Sequence, residues 1–292
     1  MTEGISIIII TMNRAKELTK TIELLKQQKC SYPYEILIID QASTDETQTM
    51  FSHLKSPFLY FRFDKNFGVS GGRNRGAKLA HYSYMVFLDD DAHFLDDHAL
   101  EKIYERMKKS DYNLFAFKIL NNDGDLYNWP YNNRLLKKSD DEFVAGTFIG
   151  CGHAIKKPFF NIVKGYSDVL FFWGEESELV MKSIGYDGKA VQYIGAIRIV
   201  HRVKGNGRNT YDAKRFYYQV RNRLYLYSEL VPRIAFCYKY YYLMGYWYKA
   251  KKNGWMKEYR KGILDHKKMS VEYEKKLKIS EFIKYEKIVL KG

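Results

Sequence analysis

The sequence predicts an α/β fold: a Rossmann-like, mostly parallel sheet with helices on both faces, followed by a helical C-terminal extension. In the first third of the chain, short and almost entirely apolar runs alternate with amphipathic segments. This alternation is typical of strands buried on both faces by the helices between them. From residue 211 to 259 the pattern is helical and includes 12 tyrosines. We therefore expect a sheet domain over residues 1–209 and an aromatic, basic extension over residues 210–292.

The first predicted strand covers residues 5–10, where five of the six side chains are isoleucine. A helix over residues 14–29 follows, because Leu18, Ile22 and Leu25 share one face. Ser43 and Glu46 have the spacing of a capping box and predict a short helix. Further strands are predicted over residues 35–40, 58–63 and 84–88, with a turn over 68–72 and a helix over 73–81.

The second half of the sheet domain is less regular. Residues 121–147 are rich in turn-forming side chains and show no clear period. A helix is predicted over residues 176–184, ending at Gly185, because glycine is common just beyond helix ends. Two short strands are predicted over residues 191–194 and 197–200.

The positive charge is concentrated at the C-terminal end. The net charge is +14, yet residues 198–292 alone contain 24 Lys and Arg against 8 Asp and Glu. Such asymmetry is typical of proteins that meet an anionic lipid surface or a polyanionic acceptor. A solvated basic tail explains this charge asymmetry equally well, and tyrosine rings packed on the sheet domain would explain the aromatic residues. Peripheral membrane contact therefore stays an open alternative. No nucleic-acid-binding motif accompanies the basic residues, so we predict no nucleic-acid partner.

The sequence shows no recognisable targeting signal. No basic and apolar leader is visible at the start, and no apolar run is long enough to span a bilayer. Three widely spaced cysteines fit reduced thiols. We expect a cytoplasmic protein, with any peripheral contact on the inner face of the cell membrane; the oligomeric state is left open.

Three consecutive carboxylates, Asp89, Asp90 and Asp91, directly follow the strand predicted over residues 84–88. Adjacent carboxylates repel one another unless a cation compensates them. Mg²⁺ or Mn²⁺ shared with a diphosphate is the natural compensator. Aspartates at strand ends also serve turns and caps, but three in succession favour a metal and substrate site.

Four motifs in order resemble the family-2 glycosyltransferases, which have the GT-A fold. The aspartate run is similar to their DXD element, and the opening strand with Thr11 to Arg14 resembles their first loop. Residues 38–45 resemble the family's VVDNGSTD segment, and residues 66–76 its N-x-G-x-x-x-x-R-N-x-G segment. The resemblance covers about residues 4–202.

The resemblance implies a nucleotide-sugar site and a divalent cation, Mn²⁺ or Mg²⁺. Asp40 would hydrogen-bond the base, and Asp91 would bind the metal directly, with Asp89 near both ribose and metal. The glycines would permit close backbone approach, and Arg73 could reach the phosphates. The implied donor-site residues are Thr11, Asn13, Arg14, Asp40, Gly71, Gly72, Arg73, Asp89 and Asp90.

The resemblance also implies an acceptor side. Residues 171–179 are similar to the family's ED-x-D/E-L motif, with Trp173 as an acceptor-side wall and Glu176 where the family usually has a catalytic Asp. Because Glu is one methylene longer, Glu175 could take the same role. His201 would complete the metal shell, and Arg208, in a glycine-bearing loop, would close over the diphosphate.

The implied function is an inverting, metal-dependent glycosyltransferase. It would move a sugar from a UDP or dTDP donor, such as dTDP-rhamnose, to a hydroxyl of a glycan or lipid-linked acceptor. Residues 215–223 resemble a Y-x-x-R-N segment of rhamnosyltransferase-like members. A sugar-phosphate nucleotidyltransferase would require a glycine-rich, basic signature where Thr11 to Arg14 stand. A non-catalytic nucleotide-sugar-binding protein stays open, because Glu176 departs from the family's Asp.

Overall fold

The structure is a computed structural model that describes residues 2–131, 133–202, 212–269 and 273–291. The strands in these ranges are β1 (Thr2–Thr11), β2 (Tyr34–Gln41), β3 (Phe58–Phe63), β4 (Tyr82–Asp89), β5 (Ala92–Phe94), β6 (Leu114–Leu120), β7 (Glu142–Ala145), β8 (Gly152–Lys156) and β9 (Val191–His201). The helices are α1 (Ala15–Leu25), α2 (Thr47–Phe51), α3 (Gly68–Leu79), α4 (Ala99–Lys109), α5 (Lys157–Ile162), α6 (Glu175–Asp187), α7 (Ala213–Glu229), α8 (Phe236–Asn253), α9 (Met256–Asp265) and α10 (Ile279–Lys291).

The strands form one sheet in the order β3-β2-β1-β4-β8-β6-β9-β5, with β7 also paired to β9. The first four strands of this order run parallel, as do β6 and β9. Strand β8 is antiparallel to both of its neighbours, and β5 and β7 are antiparallel to β9. The predicted α/β class is confirmed.

Alternate side chains of β1 enter two different cores, because successive residues of a strand face opposite sides of the sheet. Ile7 and Ile9 pack with α1 and α4 on one face, whereas Ile8 packs with α3, α5 and α6 on the other. All three isoleucines are almost completely buried. The apolar run that predicted a strand covered on both faces therefore has that structure.

Three local predictions differ from the structure. Residues 68–72, predicted as a turn, are the first turns of α3, where Gly76 lets the helix approach Ile8 of β1 closely. The two predicted strands around Gly195 are one strand, β9, whose register against β6 shifts between Phe117 and Lys118. Helix α6 continues past Gly185 and ends before Gly188, whose φ of 75° suits the left-handed position that follows a helix.

The predicted capping box is also absent from the described contacts. Ser43 instead accepts a hydrogen bond from the Asn13 backbone N–H, at 3.0 Å. The Asp45 carboxylate accepts from the N–H of Thr47, where α2 begins, at 3.1 Å. The chain therefore uses the polar residues after β2 to tie two loops together.

The C-terminal helices share the core of the sheet domain. Tyr225 and Leu226 of α7, and Phe282 of α10, are buried in the same cluster as Leu179 and Ile184 of α6. A third, smaller cluster joins α7 to α8. Among the helices of the described ranges, none combines the length and the apolar composition that crossing a bilayer requires.

Candidate active site

The ends of three strands converge on one cleft of about 510 Å³. Thr11 ends β1, Asp89 ends β4 and His201 ends β9. The first residues of α6, Glu175 and Glu176, line the same cleft. The strand order therefore brings together residues that are up to 190 positions apart in the sequence.

Asp90 and Asp91 are buried and share one guanidinium. Arg14 Nε donates to Asp90 Oδ1 at 2.8 Å, and Arg14 Nη2 donates to Asp91 Oδ2 at 2.6 Å. Thr11 donates its hydroxyl to the other oxygen of Asp90, at 2.8 Å. Burial raises the pKa of Asp90 to about 7, although the Arg14 charge acts in the opposite direction. Asp90 is thus fixed in the wall of the cleft by Thr11 and Arg14.

Asp89, Asp91 and His201 form a candidate metal centre. Within the described ranges, one ligand atom from each lies within 4.8 Å of the other two. His201 Nε2 is 3.0 Å from Asp91 Oδ1. Two carboxylates and one imidazole are a donor set that suits Mn²⁺ and can also bind Mg²⁺. The residues present therefore fit a divalent cation at the end of β4.

Arg73 joins the aspartates to the acidic start of α6. Its guanidinium is nearly buried and lies 3.3 Å from Asp89 Oδ1 and 3.7 Å from Glu175 Oε1. Its Nη2 also donates to the Gly150 carbonyl at 2.7 Å. Among the described residues, Glu175 Oε2 is buried without a hydrogen-bond partner. A buried carboxylate oxygen in this condition beside a cleft is one of the features by which functional sites differ from the protein interior.

Glu176 lies across a glycine from Arg73. A Cβ at Gly150 would come within 2.5 Å of Glu176 Oε1 and 3.2 Å of Arg73 Nη2, so only glycine leaves both side chains their positions. Burial, and then the neighbouring charge of Glu175, raises the pKa of Glu176 to about 8. The pKa of Glu175 is also raised, chiefly by burial. Glu178, the third acid of α6, instead contacts Ser167 and Lys182 in the interior.

A strained loop presents the aromatic wall in front of α6. Phe171 and Trp173 have φ values of 57° and 73°, a region that non-glycine residues rarely adopt, and Gly174 has 98°. The buried Asn222 of α7 holds this loop by donating its side-chain amide to the carbonyls of Leu170, Phe172 and Trp173, at 2.5–3.0 Å. Arg221, the arginine of the Y-x-x-R-N segment, also donates to the Leu170 carbonyl, at 2.9 Å. The Arg-Asn pair therefore acts on the loop that precedes the acidic residues.

Replacing Asn222 with Ala is expected to lower the free energy of unfolding by about 2–4 kcal/mol, because the Phe172 and Trp173 carbonyls of the strained loop lose the donor that Asn222 gives them. The Leu170 carbonyl keeps the donor of Arg221. Urea denaturation measures this change. Asn253→Ala is the matched control: Asn253 also donates to a carbonyl, that of Lys249 at 2.8 Å, but is exposed, so a loss below about 0.5 kcal/mol is expected. Equal losses in the two variants would contradict a special role for Asn222.

The structure brings nine of the residues singled out in the sequence onto the wall of the cleft. They are Thr11, Arg14, Arg73, Asp89, Asp90, Trp173, Glu175, Glu176 and His201. Asp91 lies directly behind them, in contact with Arg14 and His201. The candidate metal ligands and the candidate bases are therefore brought to one cavity.

Four other candidate donor residues do not line the cleft. Asp40 is fully buried, and its oxygens accept from the Ser43 N–H, the Tyr60 hydroxyl and Arg62. Asn13 accepts from the N–H of Thr44. Gly71 and Gly72 lie in the first turns of α3. Arg208 and its glycine-bearing loop lie outside the described residues, whereas Arg202 is directed to Glu17 and Thr21 of α1.

Several cleft residues escaped the sequence analysis. Tyr127 and Asn128 come from the turn-rich middle segment, which has no periodic signal. Tyr127 packs its ring edge-on against His201, with the centroids 4.8 Å apart. Gly150 and Arg215 also line the cleft. The run Gly150, Cys151, Gly152 was the available signal, because closely spaced small residues often mark close backbone approach.

Comparison with known proteins identifies the family. Residues 6–164 match the profile described as glycosyl transferase family 2. The chain belongs to this family. One curated relative is the GalNAc(5)-diNAcBac-PP-undecaprenol beta-1,3-glucosyltransferase of Campylobacter jejuni. It is 24% identical over 266 residues, and the alignment covers 85% of this chain and 84% of that protein. The uncharacterized glycosyltransferase YwdF of Bacillus subtilis is 27% identical over 179 residues, and the chain spans only 64% of its length.

Solved structures of glycosyltransferases share the fold. A Pyrobaculum calidifontis mannosyltransferase, solved with GDP-Man and Mn²⁺, aligns with a TM-score of 0.59 at 17% identity, covering 76% of this chain and 64% of that one. GalNAc-T7, solved with UDP, GalNAc and Mn²⁺, aligns with a TM-score of 0.60 at 18% identity, covering 77% and 50%. These similarities confirm the GT-A fold that the family resemblance implied.

Proposed function

We propose that this family-2 member is an inverting, metal-dependent glycosyltransferase. It moves a sugar from a nucleotide-diphosphate donor, a UDP-sugar or a dTDP-sugar such as rhamnose, to a hydroxyl of a glycan or lipid-linked acceptor. The observation that carries the proposal is the single cleft in which Asp89 and His201 face Glu175 and Glu176, with Arg73 between them. Nucleotide-sugar and Mn²⁺ complexes of proteins with this fold support it.

The donor side would be formed by the ends of β1 and β4. Asp89, Asp91 and His201 would hold Mn²⁺ or Mg²⁺, which supplies Lewis-acid stabilisation of the departing diphosphate when bound. Arg14 keeps Asp90 and Asp91 in place through its two short hydrogen bonds. Of the donor-site residues predicted from the sequence, we propose Thr11 and Arg14 for the nucleoside and Arg73 for the diphosphate, because these three line the cleft. Arg208, outside the described residues, is proposed to close over the diphosphate.

The acceptor side would be formed by the start of α6. The acceptor hydroxyl oxygen attacks the anomeric carbon from the face opposite the diphosphate, the bond from that carbon to the diphosphate oxygen breaks, and Glu176 receives the hydroxyl proton. One displacement of this kind inverts the anomeric centre. Glu176 is the better base, because Glu175 is more buried and faces Arg73. Trp173 would pack against the acceptor sugar.

The domain division predicted from the sequence is kept as part of the proposal, with one refinement. Residues 1–209 would bind the donor and carry the catalytic groups, and residues 210–292 would form the extension. Arg215 and Asn222, however, reach the cleft and its loop from the extension. For a lipid-linked acceptor, we propose that this extension also makes the peripheral contact with the membrane.

A screen of nucleotide sugars tests the proposal. With Mn²⁺ present, at least one donor is expected to release nucleoside diphosphate, and to do so faster when a glycan acceptor is added. Inversion is checked by the anomeric configuration of the product, measured by NMR. A nucleotidyltransferase would instead release pyrophosphate from a nucleoside triphosphate, and a non-catalytic binding protein would bind a donor without turnover. Either result would contradict the proposal.

The kcat/KM of the transfer is expected to rise with pH up to about 8. A general base acts in its deprotonated form. Burial and the charge of Glu175, opposed by the charge of Arg73, raise the pKa of Glu176 to about 8, well above the value of about 4.3 for free glutamate. Initial rates at constant free Mn²⁺ measure this profile. A kcat/KM that stays level from about pH 5 to about pH 9 would contradict Glu176 as the base.

A further inference from the structure

Helix α8 exposes an apolar face where most surface helices expose polar residues. Five large side chains form what we call the α8 stripe: Tyr240, Tyr241, Met244, Trp247 and Tyr248, exposed by 60%, 67%, 65%, 43% and 66%. They follow the three- and four-residue spacing of one helical face. Contiguous exposed apolar surface of this kind usually marks a docking site.

The opposite face of α8 is already used for folding. Tyr246 and Ala250 are buried against Phe216, Val220 and Leu224 of α7. The stripe is therefore not a core face left over by chance, since the helix has a separate apolar face for its core contacts.

The charged side chains of α8 are all positive, and α9 has three exposed basic residues besides Glu258 and Asp265. Helix α8 contains four lysines, at positions 239, 249, 251 and 252, and neither Asp nor Glu. Lys251 lies over the Trp247 ring, with its Nζ 4.7 Å from the centroid. Helix α9, which follows, adds the exposed Lys257, Arg260 and Lys261. Two copies meeting through this face would bring like charges together, whereas an anionic surface would complement them.

We propose that the α8 stripe and its flanking lysines bind the surface of an anionic lipid bilayer. Tyr and Trp are enriched at the boundary between headgroups and acyl chains, because each ring has an apolar body and a polar tip. Lysines beside them are attracted to anionic headgroups. This inference deepens the membrane contact proposed above by naming its surface and its lipid chemistry.

One side chain connects the stripe's helix to the cleft. The Cζ atom of Arg223, in α7, lies 5.5 Å from the centroid of the Trp173 ring and 4.9 Å from the centroid of the Tyr242 ring of α8. A bilayer bound to α8 would thus be separated from the acceptor wall by α8 and this arginine. A hydroxyl acceptor carried on a lipid diphosphate would then reach the cleft from the membrane surface.

Vesicle sedimentation of the full chain tests the proposal. The wild type is expected to sediment with vesicles of phosphatidylglycerol and phosphatidylcholine in equal parts, and about tenfold less with phosphatidylcholine alone. Replacing Tyr240, Tyr241, Met244 and Tyr248 together by Ser should reduce binding to the anionic vesicles about tenfold or more. Lys251→Glu with Lys252→Glu should reduce binding to anionic vesicles only.

Two controls separate the possible results. Ile162→Ser removes an apolar side chain that is 56% exposed on α5 and should leave vesicle binding unchanged. Donor hydrolysis without vesicles, measured on every variant, should also be unchanged, which checks that the stripe variant is folded. A protein without transferase activity that still sediments would contradict the proposed function and leave the lipid surface standing.

Two results would overturn the assignment. The first is equal sedimentation of the wild type and the stripe variant with anionic vesicles. The second is a smaller particle for the stripe variant than for the wild type in size-exclusion chromatography with light scattering, because the stripe would then be covered by a second copy of the chain.

Discussion

Replacing Glu176 with Gln is expected to lower kcat by about 10²–10⁴-fold, the range typical of a lost general base. The amide is nearly isosteric, so the position beside Gly150 is kept, but it cannot accept the acceptor's proton. Initial rates at saturating donor and acceptor measure the loss. Donor binding should stay within about threefold of the wild type, because Glu176 acts on the acceptor.

Glu175→Gln is the matched variant, since the two residues are adjacent and both line the cleft. Glu175 faces Arg73 at 3.7 Å, so we expect a loss in kcat of about tenfold, from a displaced guanidinium. If Glu175→Gln caused the larger loss, the roles of the two acids would be reversed. If neither variant lost more than about tenfold, the base would lie elsewhere.

Replacing Asp91 with Asn is expected to lower Mn²⁺-supported turnover by about 10³-fold and Mn²⁺ affinity by about 10²-fold. Asp91 is the most buried of the three candidate ligands and contacts His201 at 3.0 Å, so its charge is central to the site. A divalent cation supplies several kcal/mol of transition-state stabilisation in such centres. Electron paramagnetic resonance of Mn²⁺ measures the affinity independently of turnover.

Asp96→Asn is the control for this experiment. Asp96 lies five residues after Asp91, just beyond strand β5. Its carboxylate, however, contacts Lys102 and the N–H of His98 at the surface. Its replacement should leave both Mn²⁺ affinity and turnover within about twofold. Unchanged Mn²⁺ affinity in Asp91→Asn would contradict the assigned metal centre.

The sheet's parallel half could be predicted from the sequence because its strands are buried on both faces. Runs such as residues 5–10 have little alternative to a buried strand, and the polar residues after them mark the ends at which ligands bind. The family resemblance then supplied the order of the motifs. It also implied that Asp91 and His201 share one metal shell, and the structure places His201 Nε2 3.0 Å from Asp91 Oδ1.

The less predictable parts are those that long-range contacts decide. The glycines within residues 68–72 indicated a turn, but these residues are helical, and a side chain at Gly72 would come within 2.8 Å of Gln41. Tyr127 reaches His201 from a segment without periodicity, and Asn222 holds a loop about 50 residues earlier in the chain. Asp40, a candidate base contact, is occupied by Tyr60 and Arg62, a partnership that local sequence does not reveal.

Calorimetric titration of nucleoside diphosphate into the wild type, Glu176→Gln and Asp91→Asn, with and without Mn²⁺, tests the central claim most directly. The cation and diphosphate should occupy one side of the cleft and the base the other. Glu176→Gln should therefore bind UDP or dTDP as tightly as the wild type and only with Mn²⁺, whereas Asp91→Asn should lose about 10²-fold in affinity. Binding that does not require Mn²⁺, or that falls equally in both variants, would contradict the account.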